Sequence, residues 1–148
     1  MKKFQFRLQS LLRYREFLER EAKQQLLQAQ SEVIACDERI KKYSEAYESW
    51  ALKLENRTGE GINFYQYQLY TNYLESMDTM IKQETQLRAK LQEKVHKAQQ
   101  LVLQKQKDKK ILENFKERKK ELYYQEVMAL EQKETDETII LRKVKEFA

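Results

Sequence analysis

Apolar residues recur along the first half of the chain at steps of three and four. They are Phe4, Leu8, Leu11, Tyr14, Leu18, Ala22, Leu26, Ala29, Val33, Cys36, Ile40, Tyr43, Tyr47, Trp50 and Leu54. From Leu26 to Leu54 the two steps alternate strictly, which is the seam of a left-handed coiled coil. Around Leu18, Ala22 and Leu26 successive steps of four add a residue and unwind the supercoil locally. The pattern predicts one long helix over about 4–56.

The stripe fails at Asn56-Arg57-Thr58-Gly59-Glu60-Gly61. Two glycines and an asparagine reach left-handed backbone angles cheaply, so a helix can end there. Asn63 can cap a new helix, with Gln66 at the capping-box position. Residues 56–63 therefore read as the turn of a helical hairpin, within a short irregular or helical tip over about 57–74. A second stripe follows through Phe64/Tyr65, Leu69, Tyr73, Met77, Met80/Ile81, Leu87, Leu91, Val95, Ala98 and Leu101/Val102. It thins near Lys105 and Lys109 and resumes at Leu112, Phe115, Leu122, Val127, Leu130, Ile140, Val144 and Phe147. The second helix is predicted over about 75–146. The expected fold is all-α, a single-domain antiparallel two-helix coiled-coil hairpin. If the chain turns near residue 59, residue i meets roughly residue 118 − i, which sets Phe4 near Asn114. The last 30 or so residues then overhang by roughly 50 Å at 1.5 Å per residue.

Composition supports long helices. The chain has no proline, only two glycines, and 36% charged residues, so no ring forces a kink. No apolar run approaches the roughly 20 residues that span a bilayer. The basic opening Met1-Lys2-Lys3 is followed by Gln5, Arg7, Gln9 and Ser10, which break up any signal-peptide core. A single cysteine, Cys36, excludes an internal disulfide. The expected compartment is cytoplasmic.

Charge is unevenly placed within the net +5. Lys2, Lys3, Arg7, Arg13 and Arg15 stand without an acidic residue among them. Lys105, Lys107, Lys109, Lys110, Lys116, Arg118, Lys119 and Lys120 outnumber Asp108, Glu113 and Glu117. A hairpin brings both clusters to one end. An acidic protein, a nucleic acid or an anionic membrane could compensate them, and a solvated lysine face is the plain alternative. Aromatic residues gather around the turn: Tyr43, Tyr47, Trp50, Phe64, Tyr65, Tyr67, Tyr70 and Tyr73. The first three fit the seam. Those between 65 and 73 cannot all share one helix face, so some are expected to be exposed anchors for a partner.

Catalytic chemistry is not expected. Gly59-x-Gly61 lacks the spacing and lysine of a phosphate loop. One histidine, His96, and one cysteine do not make a zinc site. Cys36 lies on the seam as a small buried hydrophobe. No cofactor, metal or enzyme activity is predicted.

Several segments resemble the flagellar FliJ proteins. They are Phe4-x-Phe6-Arg7-Leu8-Gln9-x-Leu11-Leu12-x-x-Arg15, Gly59-x-Gly61-Ile62 with Tyr70 to Leu74 after it, Phe115-Lys116-Glu117-Arg118-Lys119-Lys120, and Glu131-Gln132-Lys133-Glu134-x-Asp136-Glu137. The resemblance covers essentially the whole chain. It implies a soluble component of the flagellar type III export apparatus, similar to the gamma-subunit stalk of rotary ATP synthases. It further implies binding to the hexameric export ATPase, to the cytoplasmic domain of the membrane export-gate protein and to export chaperones. Such a protein serves motility from the inner face of the cell membrane, attached there through partners only.

With that implication, Lys2, Lys3, Arg7, Arg13, Arg15, Lys109, Lys110, Lys116, Arg118, Lys119 and Lys120 are the expected ATPase contacts. Tyr43, Tyr47, Trp50, Tyr73, Met77 and Met80 are the expected gate contacts. The alternatives are a basic coiled coil on nucleic acid or a structural homodimer. Aromatic platforms for stacked bases do not follow the basic stretches, and the Gly59–Gly61 break makes an internal hairpin simpler than a dimer. The free chain is expected to be monomeric.

Overall fold

The computed structural model describes residues 2–147. Two helices pack against each other as a hairpin: α1, Gln9–Glu60, and α2, Phe64–Phe147. No strand occurs among the described residues.

Helix α1 begins later than its apolar stripe. Phe4, Phe6 and Leu8 are half-buried while Gln5 and Arg7 are exposed, the period-2 alternation of an extended segment. The N-terminus of α1 has no acidic residue in its first turn, and Lys2, Lys3, Arg7 and Arg13 crowd its positive dipole end. Helix is thus disfavoured where an extended path can bury two phenylalanines.

The turn is shorter than the sequence suggested. Asn56 to Glu60 continue α1, and Thr58 Oγ1 donates to the Leu54 carbonyl at 2.7 Å. Only Gly61–Asn63 leave the helical state. Gly61 takes φ of 93°, and its N–H donates to the Thr58 carbonyl at 3.4 Å, so it is the residue that ends α1. Gly59 is helical. Asn63 Oδ1 accepts from the Gln66 N–H at 2.8 Å, the cap expected from the sequence. With a turn this tight, α2 starts at Phe64, and the tip over 57–74 is almost wholly helical.

The later turn moves the register. Cys36 faces Glu84, Trp50 faces Tyr73, Gln9 faces Lys116 and Phe4 faces Tyr123. Residue i therefore meets a residue near about 124 − i, not 118 − i, and Phe4 lies by Tyr123 instead of Asn114.

The chain groups into two compact units, one made of the chain up to Arg20 with the chain from Gln104 onward, the other Glu21–Leu103. In the second, Ala29, Val33 and Val95 form a buried cluster with Leu26 and Leu91 packed on it. Ala22, Cys36 and Val102 are also buried. In the first, Leu12 and Leu112 are buried. No described residue from Met128 to Phe147 is buried.

Candidate interaction surfaces

The first unit gathers both basic segments. Its cations are not equally available. Arg15 Nη1 donates to the Asp108 carbonyl at 2.6 Å. Lys116 Nζ donates to Gln9 Oε1 at 2.8 Å. Lys109 Nζ lies 2.6 Å from Glu19 Oε2 and 3.8 Å from Glu113. The Glu19 side chain is only 6% exposed and that of Lys109 26%. Hydrogen bonding to Glu19 pushes the Lys109 ammonium above its ordinary pKa. These three cations hold α1 to α2. Lys2, Lys3, Arg7, Arg13, Lys110, Arg118, Lys119 and Lys120 are exposed, and they are the ones a partner can reach.

The extended segment builds an aromatic groove beside them. Phe4 packs on Tyr123 with ring centroids 5.7 Å apart, and Phe6 packs on Phe115 at 6.0 Å. Tyr123 Oη donates to the Lys2 carbonyl. Phe4, Phe6, Leu8, Phe115, Leu122 and Tyr123 line an open groove of about 590 Å³, edged by Arg7, Lys119 and Glu126. Lys119 Nζ sits 5.5 Å from the Phe115 ring centroid. The sequence placed Phe4, Leu8, Phe115 and Leu122 in stripes, Phe6 and Tyr123 in neither stripe, and none of the six in a site. The alternation Phe4-Gln5-Phe6-Arg7-Leu8 was the signal for the groove.

In the second unit, Trp50 faces Tyr73, and Tyr43, Tyr47, Met77 and Met80 lie within two turns of that pair along their helices. The Trp50 ring lies 5.6 Å from that of Tyr70 and 5.2 Å from that of Tyr73. Lys53 Nζ caps the same indole at 4.4 Å, a cation–π arrangement. Tyr47, Tyr73 and Met80 are exposed; Tyr43, Trp50 and Met77 are half-buried. The most exposed aromatics are two others, Phe64 at 77% and Tyr65 at 69%. They open α2.

Between the tip and the basic end, Cys36 is fully buried. Its thiol donates to the Glu84 carbonyl at 3.3 Å, and the same Sγ lies 3.3 Å from Glu84 Oε2. Burial first, and the Glu84 carboxylate second, push the thiol pKa up. Arg39 Nε donates to that carboxylate at 3.1 Å, and Arg88 pairs with Asp37. The arrangement is a seam lock. Among the described residues, no group of three or more His, Cys, Asp and Glu side chains could hold a metal ion, and no helix is long and apolar enough to cross a membrane.

The family model for the flagellar FliJ protein matches residues 4–145. Neither a search of curated proteins nor one of solved structures finds a match.

Proposed function

The chain belongs to the flagellar FliJ family, a component of the flagellar protein export apparatus, and from that premise we propose that it acts there as a non-enzymatic coiled-coil stalk. It binds the export ATPase through the basic end, promotes assembly and turnover of the ATPase ring, and meets the cytoplasmic domain of the export gate through the Trp50 region. Export chaperones are further partners. It works in the cytoplasm at the inner face of the membrane, held there by these proteins.

One observation carries the ATPase reading. Two basic segments about a hundred positions apart in sequence meet in one unit, and that unit keeps only three of its expected contact cations for internal use. Concentrated uncompensated charge of one sign speeds encounter with a surface of the other sign. For the gate, support comes from the Trp50–Tyr70–Tyr73 ring cluster with Tyr43, Tyr47, Met77 and Met80 nearby on the same two helices. Rigid aromatics and adaptable methionines are common interface anchors.

The test is binding of the cognate ATPase to a variant with Lys2, Lys3, Arg7 and Arg13 all changed to Glu. These side chains are exposed, so the fold tolerates the change. Affinity should fall at least ~30-fold, about 2 kcal/mol over four reversed contacts, and the salt dependence should flatten. Reversal of Lys53 and Arg57 should leave ATPase affinity unaltered. Equal ATPase affinity in wild type and the four-site variant removes this assignment. For the gate, Trp50→Ala with Tyr73→Ala should abolish binding of its cytoplasmic domain, and retained binding removes that assignment.

A further inference from the structure

The seam of α2 does not stop where α1 and the extended segment run out. Counting on from Lys109, Leu112 and Lys116, the same heptad positions are Lys119, Tyr123, Glu126, Leu130, Lys133, Glu137, Ile140, Val144 and Phe147, those from Tyr123 onward running past α1. Leu130, Ile140 and Val144 are exposed, and Phe147 is 90% exposed. Three charges interrupt this stripe, Glu126, Lys133 and Glu137. The side chains of Lys133 and Glu137 stand four apart on one helix, yet make no ion pair or hydrogen bond with each other or with any other described residue. Asp78–Lys82 and Glu93–Lys97, at the same spacing, do pair.

The interruptions make sense if the stripe faces a copy of itself. In an antiparallel two-stranded coiled coil, each seam residue meets the complementary seam position of the other helix. With a two-fold axis at residue 135, Leu130 meets Ile140, Lys133 meets Glu137 and Tyr123 meets Phe147, each pair occurring twice. A shift by half a heptad in one direction sets Glu126 against Glu137 and Leu130 against Lys133. The opposite shift sets Lys133 against Val144 and Glu137 against Ile140. Of the three, only the axis at 135 pairs Lys133 with Glu137.

A second feature stands at the place this pairing reaches. Phe147 of one copy arrives at Tyr123 of the other, which lines the open aromatic groove of about 590 Å³ with Phe4 and Leu122. The most exposed large apolar side chain of α2 thus lands on an apolar hollow.

We propose that α2 residues 123–147 pair antiparallel with the same segment of a second copy, with Lys133–Glu137 ion pairs inside the seam and Phe147 of each chain seated in the other's groove. The inference is independent of the ATPase assignment. The pairing is weak. It covers about seven turns, Glu126 faces Val144, and Glu134 and Asp136 flank the axis against their own mates. The dimer forms toward millimolar chain concentration and leaves the dilute protein monomeric.

Sedimentation equilibrium on the full chain tests it with Lys133→Glu, Glu137→Lys and the double variant. Both sites are exposed, so the helix persists. Wild type should shift from one chain's mass toward two as concentration rises. Each single variant should raise the dissociation constant at least ~10-fold, because like charges then meet twice per dimer. The double variant should recover wild-type association, and Phe147→Ala should weaken it. A single chain's mass at every concentration overturns the proposal and leaves the stripe to a helix of another protein. Association indifferent to the charge exchange overturns it as well.

Discussion

Lys109 was expected to face a partner, and in the fold it faces Glu19. Lys109→Ala separates these roles. The substitution removes one close cation, at 2.6 Å, from a nearly buried carboxylate. Removing one partner of a fully buried ion pair costs about 3–5 kcal/mol. Lys109 is a quarter exposed, so solvent screens part of the loss and ~2–3 kcal/mol is expected, in spite of alanine's better helix propensity. Lys94→Ala is the matched control. Lys94 pairs with Glu32 at 3.1 Å, but the two side chains are 60% and 36% exposed, a pair worth at most about 1 kcal/mol. In urea followed by circular dichroism, the Lys109 variant should lose about 1 M in midpoint for a slope near 2 kcal/mol/M. The pH dependence has a definite sign. The folded pKa of Lys109 is raised, so the pair's stabilisation is complete below the ordinary lysine pKa. It is lost as pH rises through the raised value, and between about pH 7 and pH 10, where the carboxylates are ionised, the difference between the two variants should be constant. Equal midpoints for Lys109→Ala and Lys94→Ala would refute the reasoning and return Lys109 to the free basic surface.

The neighbouring glycines should respond with opposite signs. A methyl at Gly59 meets nothing within 4 Å in helical backbone, so Gly59→Ala should stabilise by ~0.5–1 kcal/mol. Gly61 has φ of 93°, so Gly61→Ala should cost ~1–2 kcal/mol; thermal melts check both. Cys36 should react with a thiol reagent far more slowly in the native protein than in urea. Its raised pKa also means that stability declines as pH climbs above the ordinary thiol value of about 8.5; melts at pH 7 and 9.5 compared with Cys36→Ala read this out. Ala29→Leu, at a site with 2% exposure, should overpack the seam and cost ~1–3 kcal/mol, and a wild-type midpoint would show that the helices separate freely there.

The hairpin was legible because a seam of threes and fours is a long-range signal that survives local noise. Leu26, Ala29, Val33, Val95 and Leu91 pack as their spacing required. Asn63 was legible as a cap because its short side chain serves the third amide after it. The turn was placed too early because Asn56, Thr58 and Gly59 permit a break without compelling one. In the fold their backbone stays helical, and only Gly61 adopts a left-handed angle. That displacement moved the register by about six positions and hid the facing of Phe4 with Tyr123. The start of α1 was misread for a different reason. Phe4, Leu8 and Leu11 fit a helical spacing, but Phe4, Phe6 and Leu8 equally fit an extended one, and the basic charge around the first turn decides between them. Of the expected contact residues, the sequence could not separate Arg15, Lys109 and Lys116 from the exposed cations, since their partners Asp108, Glu19 and Gln9 depend on a register set by the turn.

The most direct test of the central claim is ATP turnover by the cognate flagellar export ATPase while this protein is titrated in. The stalk reading predicts that turnover rises together with hexamer formation, and that both effects disappear when Lys2, Lys3, Arg7 and Arg13 are changed to Glu. Unchanged turnover with no association between the two proteins would contradict it.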